Sequence, residues 1–143
     1  RVTSEGEATE ILETHGIGRE SLSLWGTGTP RREFLYSDDL AEACVFILEN
    51  VDSTDLIMDS ESQARNMHIN IGTGEDLSIR ELAELIQKII GYQGHLMWDS
   101  SKPDGTMRKL LDVSKINHLG WKAKTSLEQG VRQVYETYSG SGI

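Results

Sequence analysis

The segment from Ser78 to Gly91 constrains the fold of this chain more tightly than any other part of the sequence. Ser78 and Glu81 have the spacing of a capping box, in which each side chain binds the backbone amide of the other at the start of a helix. Gly91 is the residue type that most often ends a helix. The apolar residues between them recur at helical spacing and define one face of the predicted helix: Ile79, Leu82, Ala83, Leu85, Ile86, Ile89 and Ile90.

Two further long helices are predicted, one on each side of this segment. Ser37 is expected to cap a helix that runs to about residue 50, with two acids in its first turn, where the helix dipole favours them. Thr125 and Glu128 have the spacing of a second capping box. The predicted inward positions are Leu40, Ala43, Cys44, Ile47 and Leu48 in the first of these helices, and Leu127, Val131, Val134, Tyr135 and Tyr138 in the second.

Short extended segments alternate with the helices. Strands are predicted over residues 21–25, 32–36, 67–71 and 95–98, and loops over residues 51–66 and 99–109. A first helix is predicted over residues 5–15 and a short one over residues 114–119, with a tail at residues 139–143. The pattern predicts an α/β chain with short strands and three main amphipathic helices.

Charge and composition narrow the function classes. The chain has 143 residues and a formal net charge of −9, which argues against binding to nucleic acid or to an anionic membrane surface. No apolar run approaches the roughly 18 residues that a transmembrane helix needs. Cys44 is the one cysteine, so an internal disulfide is excluded and a reducing, cytoplasmic location is expected. Residues 101–124 nevertheless hold six basic residues against two acidic ones, which is compatible with binding of a small anion.

Several motifs resemble cofactor, catalytic or metal sites, but their sequence context indicates structural roles. Residues 26–28 and 72–74 are Gly-x-Gly segments, but Pro30 follows the first, and Leu77 stands where the second would need its third glycine for dinucleotide binding. The paired acids Asp38 and Asp39 are typical of a helix start, and Cys44 is predicted to lie in the core. The histidines lack the spacing of metal ligands on a helix: His15, His68, His95 and His118.

One set of residues does suggest a binding site. Trp25 could stack on a base or pack on a sugar at the end of a strand. The arginines at 31 and 32, together with the basic pair Arg108 and Lys109, suit a diphosphate, because guanidinium groups form forked hydrogen bonds and ammonium groups act as point charges. Asp104 could accept hydrogen bonds from sugar hydroxyls or a base edge. Surface charges around a core tryptophan explain the same spacing equally well.

Three longer motifs resemble the GDP-L-fucose synthases, which are NADPH-dependent epimerase/reductases of the extended short-chain dehydrogenase/reductase superfamily. They are WGTGTPRREFLYSDDL at residues 25–40, HINIGTGEDLSIRELA at residues 68–83 and SKPDGTMRKLLDVS at residues 101–114, followed by LGW at residues 119–121. The resemblance runs from about residue 23 to residue 138. The third motif is the most specific, whereas the first is shared loosely across nucleotide-sugar epimerases and dehydratases.

The resemblance implies which residues bind the substrate. Trp25 matches the family's substrate-contacting tryptophan, Arg32 rather than Arg31 matches its diphosphate-binding arginine, and Lys109 matches a lysine that approaches the same diphosphate. His95 replaces a basic residue that the family often has before the strand. Asp104 and Arg108 lie inside the most specific motif and complete the expected set.

The resemblance also implies the parent reaction. It is the conversion of GDP-4-keto-6-deoxy-D-mannose to GDP-L-fucose, by epimerisation at C3 and C5 and NADPH-dependent reduction at C4. Residues 21–138 match the smaller, C-terminal substrate-binding domain of these enzymes, whereas residues 1–20 match poorly. The family's NADP loop and catalytic Ser and Tyr-x-x-x-Lys belong to a Rossmann domain that is expected to be absent here, since no tyrosine of the chain has a lysine four positions later.

Three readings follow from this match. The first is the GDP-sugar-binding domain of a GDP-L-fucose synthase, which alone is expected to be catalytically inactive. The second is the substrate domain of another nucleotide-sugar epimerase or dehydratase. The third is a truncated, non-catalytic binding remnant. In each case an apolar face left without the Rossmann domain is expected to allow self-association.

Overall fold

A computed structural model of the protein describes residues 4–56 and 67–140. Over these ranges the chain forms five α-helices and five short strands, which confirms the α/β class. The helices are α1 (Glu5–Thr14), α2 (Ser37–Asn50), α3 (Ile79–Ile90), α4 (Ser114–His118) and α5 (Leu127–Gly140). The strands are β1 (Ser21–Trp25), β2 (Arg31–Arg32), β3 (Leu77–Ser78), β4 (His95–Asp99) and β5 (Arg108–Lys109).

The chain divides into two compact units whose segments alternate along the sequence. Unit 1 consists of Arg1–Arg32 and Leu77–Lys109, and unit 2 of Glu33–Asp76 and Leu110–Ile143. All five strands belong to unit 1, and so does α3. Every residue that the sequence proposes for substrate binding also falls in unit 1.

Unit 1 contains two small sheets. β1 and β4 pair in parallel, with Ser21 opposite His95 and Trp25 opposite Asp99. β2 lies between β3, which is antiparallel to it, and β5, which is parallel to it. Side chains of β1, β4 and α3 line an apolar cleft of about 370 Å³, among them Leu22, Leu24, Leu82, Ile86 and Leu96.

Helix α3 forms as its sequence predicts. The Ser78 hydroxyl accepts from the Glu81 amide at 3.1 Å, and the Glu81 carboxylate accepts from the Ser78 amide at 2.7 Å. Gly91 ends the helix in the left-handed conformation, at φ 71°. Two further amides at the start of the segment, those of Ile79 and Arg80, donate to the carbonyls of Pro30 and Gly28. The beginning of α3 is therefore tied to the turn between β1 and β2.

Unit 2 has its own hydrophobic core. Ala43 of α2, Ile116 of α4, and Val113 and Trp121 from the segments beside α4 are buried, and Phe46 and Ile47 are among the partly buried residues that pack against them. Asp39 is also buried, at 5% exposure. Its carboxylate accepts from the amides of Lys124 and Thr125 at 3.0 and 2.8 Å and from the Thr125 hydroxyl at 3.0 Å. This acid joins the start of α2 to the segment before α5.

The predicted caps of α2 and α5 are wrong by one residue each. Tyr36, not Ser37, precedes α2, and its side chain makes no capping bond. Before α5, Ser126 rather than Thr125 forms the reciprocal pair, with Gln129 as its partner. The Thr125 hydroxyl is instead bonded to Asp39, so a distant carboxylate takes the group that local spacing assigns to the cap.

The predicted apolar faces of α2 and α5 are also partly wrong. Cys44 is exposed rather than in the core, and Leu48 is 85% exposed. The inward face of α2 is rotated towards Asp39, Ala43, Phe46 and Ile47, because Asp39 points inward to its three donors. On α5, Val134 and Tyr138 are exposed at 60% and 70%.

The predicted extended and irregular segments differ from the structure in four places. Residues 67–71 form no strand, although Ile69 and Ile71 pack against the core of unit 2. The strand predicted over residues 32–36 is confined to β2, and the loop predicted over residues 99–109 ends in β5. The loop predicted over residues 51–66 contains a 3-10 turn, Ser53–Leu56; residues 57–66, and the end of the predicted tail at residues 141–143, lie outside the described residues. Among the helices of the described ranges, none has the length and hydropathy to cross a membrane.

Candidate functional site

Trp25 stands at the end of β1 with an accessible indole ring. Its side chain is 75% exposed, and the Lys102 ammonium lies 5.6 Å from the ring centroid. The Gly26 amide donates to the Asp99 carbonyl at 2.9 Å and so extends the β1–β4 pairing by one bond beyond Trp25. A large, flat apolar surface next to a cation is suited to a ligand that has both a ring system and negative charge.

The turn after Trp25 is held by Asp104. One carboxylate oxygen accepts from the Thr27 amide at 2.9 Å, and the other accepts from the Thr27 hydroxyl at 2.7 Å. These two bonds lower the pKa of the Asp104 carboxyl, because they stabilise its charged form. Gly26 is required beside this contact, since it has φ 81° and an added Cβ would collide with the Asp104 carboxylate.

Arg80 of α3 holds the same turn from another direction. Its guanidinium donates to the Thr27 carbonyl at 2.7 Å and lies 4.6 Å from the centroid of the Trp98 ring. The Trp98 ring also covers Gly28, where an added Cβ would come within 2.7–2.9 Å of three ring carbons. The turn is therefore fixed by groups from α3, β4 and the loop after β4.

The pairing of β2 with β5 brings the predicted cations together. Arg32 lies opposite Lys109, and Arg31 lies opposite Arg108. Neighbouring residues of a strand point to opposite faces, and residues in register on adjacent strands share a face. Arg32 and Lys109 therefore lie side by side on one face, as the diphosphate prediction requires, whereas Arg108 lies with Arg31 on the other.

The Arg32 and Arg31 side chains have different surroundings. The Arg32 guanidinium donates to the Arg31 carbonyl at 2.7 Å, and its Nη2 would be 3.2 Å from a Cβ built on Gly105. Arg32 thus reaches the residue that follows Asp104. Arg31 instead approaches the Glu81 carboxylate at 3.5 Å.

His95 stands apart from the tryptophan end of the sheet. It opens β4 opposite Ser21, four residues from the position paired with Trp25. At about 3.3 Å per residue this separation is about 13 Å along the strand. A ligand that touches both side chains has to extend along the β1–β4 pair.

Each Gly-x-Gly segment has an amide that donates to a carboxylate of the protein. In residues 26–28 the Thr27 amide is bonded to Asp104, as described above. In residues 72–74, which belong to unit 2, the Gly74 amide donates to the Glu33 carboxylate at 2.6 Å. In each loop one amide that a phosphate could use is therefore already bonded to a carboxylate.

Three structurally important polar residues escape the sequence analysis. Thr27 and Arg80 fix the turn after Trp25, and Glu33 accepts from Gly74, Thr73 and, at 3.1 Å, the Leu111 amide. Their partners are 40 or more residues away along the chain, so no local spacing marks them. Within residues 4–56 and 67–140, no three acidic, histidine or cysteine side chains are grouped closely enough to hold a metal ion.

Comparison with known proteins agrees with the motifs. A model of the NAD dependent epimerase/dehydratase family matches residues 8–72. The chain is 48% identical over 121 residues to GDP-L-fucose synthase 1 of Arabidopsis thaliana, a match that covers 85% of this chain and 34% of that protein.

Solved structures of related proteins have the same fold. A GDP-6-OMe-4-keto-L-xylo-heptose reductase from Campylobacter jejuni superimposes with a TM-score of 0.90 at 45% identity, over 99% of this chain and 40% of the other. A GDP-mannoheptose C4 reductase from the same organism, solved with NADP bound, has a TM-score of 0.80 at 42% identity, over 96% of this chain and 38% of the other. The chain spans about one third of the length of the curated relatives it matches. The chain is therefore similar to the NAD dependent epimerase/dehydratase family over residues 8–72 and to about one third of GDP-L-fucose synthase 1.

Proposed function

We propose that this chain binds the GDP part of a nucleotide sugar, with Trp25 contacting the nucleoside or sugar and with Arg32 and Lys109 binding the diphosphate. The single observation that carries this proposal is the β2–β5 register, which sets Arg32 directly beside Lys109. Two cations on one face match the two negatively charged phosphates of GDP. Arg108 and His95 are expected to contribute less, because one lies on the opposite face and the other at the far end of β4.

The test is a titration of the chain with GDP, followed through its tryptophan indole NMR signals. The chain has three tryptophans, of which Trp25 is exposed and Trp121 is buried in unit 2, so Trp121 serves as an internal control. We expect GDP to shift the Trp25 signal and to leave the Trp121 signal in place. UDP and dTDP, titrated in parallel, measure the preference for the base.

Arg32→Ala and Arg31→Ala are a matched pair of variants for this titration. They remove the same charge from adjacent positions, but only Arg32 shares a face with Lys109. We expect Arg32→Ala to weaken GDP binding by about tenfold or more, the order expected for a charge-assisted hydrogen bond, and Arg31→Ala to weaken it less. Equal losses from the two variants, or no binding by the unsubstituted folded chain, would contradict the proposed site.

We further propose that the whole protein is a GDP-sugar epimerase/reductase that uses NADPH. The leading reaction is conversion of GDP-4-keto-6-deoxy-D-mannose to GDP-L-fucose, in line with the relatives that carry that name. Reduction of a GDP-heptose is the second candidate, favoured by the heptose reductases among the structural relatives. Comparing GDP-fucose and GDP-heptose as competitors of GDP binding distinguishes the two sugars.

In this reaction the chain would supply binding energy from the GDP moiety, which positions the sugar for chemistry carried out elsewhere in the protein. NADP is proposed to bind outside these residues, because the Thr27 and Gly74 amides of the two Gly-x-Gly loops already donate to carboxylates of the protein. The 143-residue chain alone should therefore not oxidise NADPH with the keto-sugar. Measurable oxidation by the purified chain would overturn this part of the proposal.

We also propose that the isolated chain self-associates. Unit 2 exposes apolar side chains on two helices, including Leu48 on α2 and Val134 and Tyr138 on α5. Exposed apolar patches favour association because contact removes their surface from water. Light scattering across a concentration series should give a mass that rises above 16.0 kDa. A constant monomer mass at high concentration would contradict this expectation.

A further inference from the structure

We propose that Asp104 and Thr27 form a latch that fixes the aromatic part of the binding site relative to its cationic part, so that Asp104 is a positioning residue and not a ligand of the nucleotide. This inference rests on the proposed function, because it concerns how the same site is held ready for GDP. It replaces the expectation, drawn from sequence, that Asp104 accepts hydrogen bonds from the sugar or the base.

The first argument is that both oxygens of Asp104 already have partners within the protein. Oδ1 accepts from the Thr27 amide at 2.9 Å, and Oδ2 accepts from the Thr27 hydroxyl at 2.7 Å. An ionised carboxylate has about four lone-pair sites, and the two bonds from Thr27 take one site on each oxygen and so fix the orientation of the group. The fork of two bonds defines the distance and the orientation between two segments that are 77 residues apart in sequence.

The second argument is the position of the latch in unit 1. On one side, Thr27 is two residues from Trp25, and its carbonyl is bound by Arg80 at 2.7 Å, so the turn is anchored to α3. On the other side, Asp104 precedes Gly105, which lies against the Arg32 guanidinium. The latch therefore lies between the tryptophan and the arginine that are proposed to bind opposite ends of the ligand.

A link of this kind affects a two-part ligand in a specific way. GDP joins an aromatic nucleoside to a diphosphate, so its affinity exceeds that of either fragment when both halves of the site are correctly spaced. A rigid link keeps that spacing before the ligand arrives and reduces the ordering cost of binding. Without the link each half-site still binds its own fragment, but the gain from binding both together falls.

The experiment compares GDP with guanosine and with inorganic pyrophosphate on the full chain and on five variants. Thr27→Val removes the hydroxyl while keeping the branched shape, Asp104→Ala removes the carboxylate, and a third variant carries both changes. Thr27→Ser restores a hydroxyl. Thr29→Val is the matched control, because it removes the contact between the Thr29 and Thr27 hydroxyls, at 2.7 Å, and leaves both groups of the latch intact.

We expect Asp104→Ala to weaken GDP binding by about tenfold, the order expected for a hydrogen bond to a charged group, and Thr27→Val to weaken it less, because the Thr27 amide still donates to Asp104. The double variant should bind GDP as Asp104→Ala does, because Asp104→Ala already removes both bonds of the latch. Guanosine and pyrophosphate should keep their affinities within about twofold, and Thr27→Ser and Thr29→Val should bind GDP almost as the unsubstituted chain does. A cooperative urea-unfolding transition shows that each variant is folded, whereas loss of the fold would abolish binding of all three ligands.

Three results would overturn the latch. If Asp104→Ala weakens guanosine or pyrophosphate as much as GDP, Asp104 is a direct ligand. If Asp104→Ala, which removes both bonds, leaves GDP affinity unchanged, the link has no positioning role. If the unsubstituted, folded chain does not bind GDP, the proposed function fails first and the latch fails with it, which separates that failure from the other two.

Discussion

Removing the buried carboxylate of Asp39 is the sharpest test of how unit 2 is held together. Asp39 lies in the first turn of α2 at 5% exposure and accepts three hydrogen bonds from Lys124 and Thr125, up to 86 residues away. Its neighbour Asp38 is in the same turn but is exposed, and within residues 4–56 and 67–140 its carboxylate contacts the Ser37 hydroxyl at 3.5 Å. The two acids therefore have the same charge and lie in the same helical turn, but they differ in burial and in their hydrogen bonds.

The expected loss in the free energy of unfolding follows from the three hydrogen bonds that Asp39 accepts. A hydrogen bond to a charged group contributes about 1.5–3 kcal/mol, but removal of a shared acceptor is not additive over its donors. Lys124 is exposed and Thr125 half-buried, so water can replace part of what is lost. We expect Asp39→Ala to lower the free energy of unfolding by about 3 kcal/mol, and Asp39→Asn by about 1–2 kcal/mol, because one acceptor oxygen remains.

Urea unfolding of the two Asn variants provides the assay. Asp38→Asn should lower the free energy of unfolding by about 0.3–1 kcal/mol, the range for a charge near an exposed helix start. Asp39→Asn should lower it clearly more. Equal losses in the two variants would refute the claim that the three hydrogen bonds of Asp39 stabilise the fold.

The stabilisation by the Asp39 carboxylate is expected to depend on pH. Burial acts to raise the pKa of Asp39, but the hydrogen bonds from Thr125 and Lys124, with the Lys124 charge, outweigh it and leave the pKa below its usual value. A lowered pKa means that the carboxylate stabilises the fold fully above the unfolded pKa of about 4 and loses this effect as the pH falls through the folded pKa. The difference between the unsubstituted chain and Asp39→Asn should therefore be constant near neutral pH and shrink in acid.

Other measurements test the remaining local interpretations. Ser78→Ala should lower the free energy of unfolding by about 1 kcal/mol, measured in urea, because it removes the side-chain acceptor of the α3 capping box. Gly28→Ala should destabilise by more than about 1–2 kcal/mol, since the residue has φ 76° and its added methyl group would overlap Trp98. Gly6→Ala should instead stabilise by about 0.5–1 kcal/mol, because Gly6 lies within α1 with nothing within 4 Å of the added Cβ. Cys44 should react with a thiol reagent in the native chain, and protection until unfolding would contradict its exposed position.

Local signals predicted the elements that depend on neighbouring residues. Helix α3 has its cap, its apolar period and its glycine stop within 14 consecutive residues, so no distant partner was needed to define it. Strand β4 was also predicted almost to its bounds, but its pairing with β1 could not be derived from those residues alone. Residues 67–71 failed because alternation alone does not make a strand, which also requires a paired neighbour. There the isoleucines pack on the core without such pairing.

The wrong predictions for the inward face of α2 and for the cap of α5 have a common cause. The apolar pattern of α2 fits two faces that differ by a small rotation, and a sequence argument chooses the one without an acid. In the structure the face that contains Asp39 is buried, because three donors from Lys124 and Thr125 form hydrogen bonds with its carboxylate. The same bonds remove Thr125 from the cap that its spacing with Glu128 predicted.

The sequence by itself determined the spacing of apolar residues in the helices, the α3 cap and the motifs that resemble the GDP-L-fucose synthases. Only the tertiary structure decided that Arg32 lies beside Lys109 and that Asp104 is bonded to Thr27, both pairs being 77 residues apart. The physical reason is that a helix cap or period is set by residues within one or two turns, whereas strand register and long-range hydrogen bonds depend on how distant segments pack. The candidate residues could be recognised from their motifs, but their roles follow from partners that no local pattern specifies.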